Sequence, residues 1–244
     1  MKKKPIFNLL KKTIKFFLKK YKIEGLDNIP SKPSILVGNH AHAYGPLFAE
    51  LFFPYNRQTW CSGEIMNIKS APSYMQKDFW GEKPKYSQWF YKILSYIFAP
   101  ICVYAFKHAS TIPVYKDNRG VITFKRTLES LHNGEHVIIF PENHIENNNI
   151  VNSFEQNFID IAKIYYKKYK KELNFVPFYI SPKLKTVQFG KPIKFNSNAN
   201  IENERTNISS YLSEEITKIA QALPEHIVVP YANVKKKYYP KNKV

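Results

Sequence analysis

The chain has 244 residues, 44% of them hydrophobic and 16% aromatic, which suits one α/β domain with a sizeable core and excludes a disordered chain. A formal net charge of +18 asks for an anionic partner: a membrane surface, a phosphorylated substrate or a nucleic acid. Only Cys61 and Cys102 are present, which excludes a disulfide scaffold and any zinc-type cysteine spacing.

Residues 1 to about 22 carry nine lysines and no acid. On a helical wheel Ile6, Phe7, Leu10, Ile14, Phe17, Leu18 and Tyr21 share one arc. Lys4, Lys11, Lys12, Lys15, Lys19 and Lys22 oppose it. The pattern predicts a basic amphipathic helix over 1–25, lying in the interface of an anionic membrane. The plainer expectation is a helix packed on the domain with its lysines solvated. No apolar run there is long enough for a membrane span or a signal-peptide core. No helix-turn-helix, RNA-recognition or zinc-finger signature accompanies the charge, so nucleic acid is not the expected partner.

Residues 26–230 read as an α/β domain. After a Pro-punctuated connector, Ile35, Leu36 and Val37 form a short buried strand that Gly38 ends. A helix is expected over 47–53, a strand over 59–62 and a surface excursion over 69–85. Residues 86–106 are strongly apolar but interrupted by Lys92 and Pro100, which predicts a helix that ends near Pro100 rather than a membrane span, with a membrane-dipping hairpin as the alternative. The strand at 110–115 carries Pro113, which suits a sheet edge. Val121, Phe124, Leu128 and Leu131 mark one helical face, with Gly134 as the stop. A buried strand follows over 137–140. Phe158, Ile161, Ala162 and Tyr165 line another helix. A strand covers 175–180, a hairpin turning at Gly190 covers 187–195, and a closing helix covers 202–222. Residues 231–244 are expected as a basic tail around Lys235, Lys236 and Lys237.

Chemistry-bearing residues gather after the strands. Asn39 and His40 follow the first buried strand, and Glu142 and Asn143 follow the strand over 137–140. Ligands of open α/β sheets collect outside the carboxyl ends of strands. An imidazole there can act as a general base near neutral pH. Lys116 and Arg119 form a cationic turn before a helix, which suits a phosphate; the plainer expectation is a solvated pair.

Four stretches in order resemble the PlsC-like glycerol-phosphate and lysophosphatidate acyltransferase family, over about residues 30–195. Asn39 and His40 match motif I, Asn-His-x-Ser-x-x-Asp, with His42 at the Ser position and Gly45 at the Asp position. The likeness is to a variant subgroup lacking that Asp. Ile112, Pro113 and Val114 match motif II, with Lys116 at its Arg position. Phe140, Pro141 and Glu142 match motif III, with Asn143 for Gly. The apolar strand with Pro177 resembles motif IV. The resemblance implies a glycerol-3-phosphate acyltransferase-like fold: a central mixed sheet flanked by helices, with an N-terminal amphipathic helix.

It also implies an activity: transfer of a fatty acyl chain from acyl-CoA or acyl carrier protein to a hydroxyl of a glycerol-phosphate or lysolipid acceptor, in phospholipid biosynthesis. His40 and Glu142 form the implied catalytic set. Asn39, His42, Lys116, Arg119 and Asn143 are the implied substrate contacts. No metal or cofactor is implied beyond the thioester co-substrate, and the implied location is the cytoplasmic face of the membrane. Gly45→Asp is expected to raise activity unless Glu142 or Glu64 already orients His40. Two alternatives stand beside this. One is a non-catalytic lipid- or thioester-binding peripheral protein. The other is a metal-dependent hydrolase using His40 and His42, with His144 and Glu142.

Overall fold

The short apolar runs become the middle of an eight-stranded mixed sheet. A computed structural model of the chain describes residues 5–18, 20–231 and 233–243. Strands β1 (Lys22–Glu24), β2 (Ile35–Gly38), β3 (Arg57–Ser62), β4 (Thr111–Val114), β5 (His136–Ile139), β6 (Asn174–Ser181) and β7 (Thr186–Phe189) lie in the order β1-β7-β6-β2-β5-β3-β4. The final strand β8 (Ile193–Lys194) pairs with β6. The four strands β2, β5, β3 and β4 and the β2–β6 pair are parallel, whereas β7 and β8 run antiparallel to β6. Ile35 faces Val137, Leu36 faces Ile138 and Val37 faces Ile139.

Seven helices complete the described chain: α1 (Pro5–Phe17), α2 (Tyr44–Leu51), α3 (Ala71–Asp78), α4 (Gln88–His108), α5 (Gly120–His132), α6 (Asp160–Tyr169) and α7 (Ile201–Ala222). Strands β2 and β5 are covered on both faces, and apart from His136 their core positions are apolar. Ile35 and Val37 of β2 point into one layer with Leu128 and Leu131 of α5, Ile161 of α6 and Leu212 and Ile216 of α7. Leu36 points the other way, toward Phe48 and Ala49 of α2. A smaller cluster joins Met75 of α3 to Ala99 and Val103 of α4.

Several expectations need correction. The first helix stops at Phe17, and Lys22 opens an edge strand instead of continuing it. Lys4 and Lys19 of the expected basic face lie outside the described residues. Within α1 only Phe7 is fully buried, while Ile6, Leu9, Phe16 and Phe17 stand outward. The excursion over 69–85 contains α3, begun with a proline in its first turn. Helix α4 does not end near Pro100 but runs on to His108. Pro100 lies on the outward face, where its ring and the hydrogen bond it removes cost least. Val121 is exposed, and Thr123 and Thr127 are buried on α5 beside Leu128 and Leu131. The hairpin is formed by β6 and β7; at Gly190 the chain only steps along β6 to β8, its amide donating to the Pro177 carbonyl at 2.8 Å.

The described residues of 226–243 do not trail into solvent. Ile227 bridges Lys241, and Asn242 is 1% exposed. The Asn242 side chain accepts from the His226 amide at 2.7 Å and donates to the Ala220 carbonyl at 2.7 Å. The three lysines 235–237 remain exposed on this folded-back strap.

Candidate functional site

Strand β2 ends at Gly38, where an added Cβ would lie 2.3 Å from the Phe178 ring, so only glycine admits that close approach. Asn39 is 2% exposed, and its amide is spent on β6: it donates to the Ile180 carbonyl at 3.1 Å and accepts from the Ile180 amide at 2.8 Å. Asn39 thus extends the β2–β6 pairing by one side chain and fixes where His40 begins. Both polar atoms of its side chain are thus engaged by the β6 backbone.

The turn after His40 is sharp. Ala41 and His42 both adopt left-handed backbone, with φ of 45° and 52°. For residues with a Cβ that conformation costs on the order of 1–2 kcal/mol each, and such strain clusters at functional sites. It lets Tyr44 and Gly45 donate back to the Ala41 and His40 carbonyls and start α2.

Glu142 follows β5, the neighbour of β2, and is 6% exposed. One carboxylate oxygen accepts from the His40 backbone amide at 2.6 Å, the other from the Asn152 amide at 2.9 Å. Burial pushes its acid up to about 7, although both amide bonds pull the other way. Glu142 therefore ties the His40 turn to the loop after β5. It holds the backbone of His40 and is not bonded to its ring. The Asn143 side-chain oxygen accepts from the Ile145 amide, and its backbone carbonyl accepts from the Asn152 side chain.

The His40 ring is flanked edge-on by Phe140 at 5.4 Å and Tyr231 at 5.8 Å between centroids. Burial lowers its pKa to about 4; a backbone hydrogen bond with His42 and the charge of Asp78 at the end of α3 oppose this. His42 stacks on Tyr239, with 3.3 Å between the Tyr239 hydroxyl and Nε2. Its pKa is lowered by burial and partly restored by the Asn233 side chain. Asn233 also donates to the Asp78 carbonyl. The strap over 226–243 thus crosses the carboxyl ends of β2 and β5 and roofs both imidazoles. Tyr231, Asn233, Tyr239 and Asp78 all belong to this site. No periodicity or motif marked them, because their contacts span 38 to nearly 200 residues of chain.

The remaining acids and cations sort by position. Glu64 is exposed, and its charge acts on Arg119. Gly45 is buried, and a Cβ there would sit 2.7 Å from the His40 carbonyl oxygen and 2.7 Å from the Phe140 ring. An aspartate has no room at that position. Lys116 and Arg119 follow β4, at the same carboxyl edge of the sheet but three strands from β2, roughly 14 Å at ordinary strand spacing. Lys116 is exposed. Arg119 lies over Tyr115 at 4.2 Å and is forked onto Asp117, which holds the Asp117 carboxyl down to about 2. Among the described residues no three His, Cys, Asp or Glu side chains converge as metal ligands, so the hydrolase alternative has no ligand set there.

Sheet and site together define an α/β protein in which a half-buried His40 is joined through its backbone to the buried Glu142 at the carboxyl ends of adjacent parallel strands. The fold is similar to that of the crystal structure of the 1-acyl-sn-glycerophosphate (LPA) acyltransferase PlsC from Thermotoga maritima. The TM-score is 0.51 at 17% identity, over 92% of this chain and 85% of that one. No family model matches the chain, and no curated protein matches it.

Proposed function

We propose that the protein is an O-acyltransferase that moves a fatty acyl chain from a thioester donor, acyl-CoA or acyl carrier protein, to a hydroxyl of a glycerol-phosphate or lysolipid acceptor. The observation that carries this reading is the joining of His40 to Glu142 across β2 and β5, in a fold like that of an acyltransferase. His40, neutral at pH 7, takes the proton of the acceptor hydroxyl as its oxygen forms a bond to the thioester carbonyl carbon. The carbon–sulfur bond then breaks, and the departing thiolate takes the proton from the His40 imidazolium, which returns the base to its neutral form. Glu142 holds the base by its backbone, and the His42 backbone replaces a carboxylate as the partner of the ring. Lys116 and, once released from Asp117, Arg119 receive the acceptor phosphate. The protein works on the cytoplasmic face of an anionic membrane, to which α1 contributes Ile6, Leu9, Phe16 and Phe17.

The roof of Tyr231 over His40 favours a second reading, a lipid- or thioester-binding protein without chemistry. Acyl transfer by His40→Ala separates the two. The assay offers both donors to phosphorylated and plain glycerol acceptors, with circular dichroism as the folding control. Loss of the base should lower turnover by roughly 10²–10⁴-fold. A folded His40→Ala protein working at the wild-type rate would falsify the role of His40. A wild type inert on every pair would favour binding alone.

A further inference from the structure

Helix α4 has two faces of opposite character. Ser95, Ala99 and Val103, spaced by four, are buried against the body, where Ala99 and Val103 meet Ile65 and Met75. Trp89, Ile93, Ile97 and Ile101, also spaced by four, form a stripe on the other side and are 67%, 51%, 59% and 54% exposed. Phe90 and Tyr96 widen it. A monomeric soluble protein rarely leaves so continuous an apolar face in water.

We infer that α4 is an in-plane docking helix, its Trp89–Ile93–Ile97–Ile101 stripe seated at the headgroup–acyl boundary of an anionic lipid monolayer. This deepens the membrane part of the reading above, on which it rests, and does not depend on acyl transfer. Charge selects the occupant. Helix α4 contains no acid, carries Lys92, Lys107 and His108, and is approached through Lys83 and Lys85. Helix α1, also without an acid, reaches it where Phe7 lies 6.4 Å from His108. A second copy on this face would bring two sets of lysines together on a chain of net charge +18, whereas an anionic surface neutralises them.

Residues 85–108 are long and apolar enough to cross a bilayer by length and composition. Topology keeps the helix in the plane. With α3 it makes up the crossover between β3 and β4, parallel neighbours in one sheet, so the chain leaves the sheet at Ser62, runs through α3 and α4, which pack together, and re-enters the same sheet at Thr111. Its inner face is already packed, which leaves only the stripe for lipid. Lying flat, 21 residues present roughly 30 Å of helix to the surface.

The test sediments the whole chain with vesicles of equal phosphatidylglycerol and phosphatidylcholine. The variants are Ile93→Asp/Ile97→Asp on α4 and Leu9→Asp/Phe16→Asp on α1, each checked by circular dichroism and thermal melting. The α4 variant should lose at least tenfold in vesicle partitioning. In the wild type, vesicles should shift tryptophan emission to the blue, and Trp89→Phe should lose that shift; this arm holds even if the double variant does not fold. Full vesicle binding by a folded α4 variant, with only the α1 variant released, overturns the inference and leaves the proposed function standing. A wild-type dimer seen by light scattering and dissolved by Ile93→Asp/Ile97→Asp assigns the face to a second copy and also overturns it. Loss of acyl transfer with vesicle binding intact bears on the function alone and sustains the docking role.

Discussion

Tyr231 stands edge-on to His40, 5.8 Å between ring centroids at 79°, and the same ring lies 5.3 Å from His144. A residue of the C-terminal strap therefore walls the imidazole that follows the first central strand. Removing the ring lets water reach His40 and weakens the burial that depresses its pKa. Tyr231→Ala should raise the His40 pKa from about 4 toward 6.5, read from the ring resonances in an NMR titration. It should also speed modification by diethyl pyrocarbonate. An unchanged titration in a folded variant would show that the strap is not what buries the base.

His40 and Glu142 pull stability in opposite directions with pH. His40 is lowered in the folded protein to about 4, so the unfolded chain takes up its proton first. Its contribution is complete above about 6.5 and is lost as pH falls to 4. Glu142 is raised to about 7, so its contribution is complete below about 4.5 and is lost as pH rises to 7. Each is of order 3 kcal/mol, and between pH 4.5 and 6.5 they nearly cancel. Urea midpoints of His40→Ala should therefore fall as pH rises through that window. Those of Glu142→Gln should fall as pH drops. Parallel profiles for both variants and wild type would contradict the pairing of these environments.

Gly45→Asp should not restore a catalytic acid. The new Cβ would meet the His40 carbonyl oxygen and the Phe140 ring, both at 2.7 Å, and the first of these belongs to the backbone of the base itself. Overpacking at this spot should cost about 1–3 kcal/mol. Chemical denaturation should show that loss, and any acyl transfer should drop with it. Higher activity from a stable Gly45→Asp protein would mean that the His40 turn yields more readily than its contacts indicate.

Arg119 is held by Asp117 through a forked ion pair in which both side chains are 55% exposed. An acceptor phosphate must compete with that carboxylate. Asp117→Asn should release the guanidinium and lower KM for a phosphorylated acceptor by roughly threefold, with little change for a neutral one. Lys116→Ala should act in the opposite sense on the phosphorylated acceptor. Equal effects on both acceptors would take the phosphate away from this turn.

The central strands were legible because each is a short apolar run closed by Gly38 or Pro141, and because a parallel strand buried on both faces leaves no polar interruption. Pro113 correctly marked an edge, since β4 ends the sheet. Pro100 misled because a proline breaks a helix only where its neighbours cannot yield, and on an outward face they can. The site was half legible. His40 and Glu142 sit where strands end, and that position is readable from local pattern. The strap was not, because Tyr231 and Tyr239 act through contacts with residues nearly 200 positions earlier, and no period in residues 224–243 announces a packed segment. The Asn39 side chain looked available for ligands, yet it is absorbed by the Ile180 backbone, which nothing in the local sequence identifies, while Asn143 gives its side-chain oxygen to the Ile145 amide.

The alignment of β2 with β5 works as a ruler. Every facing pair, from Ile35 with Val137 to Val37 with Ile139, is offset by 102 positions, and the His40 amide meets the Glu142 carboxylate at the same offset beyond the strands. The pair is thus a rung of the same ladder, three positions beyond the last backbone pair. A slip of one residue would set Pro141 or Asn143 opposite His40, and neither offers a carboxylate. Parallel pairing over so long a loop forms late in folding. Slow hydrogen exchange at the His40 amide should therefore appear only after the central sheet has closed in its native alignment, making that single proton a clock for completion of the fold.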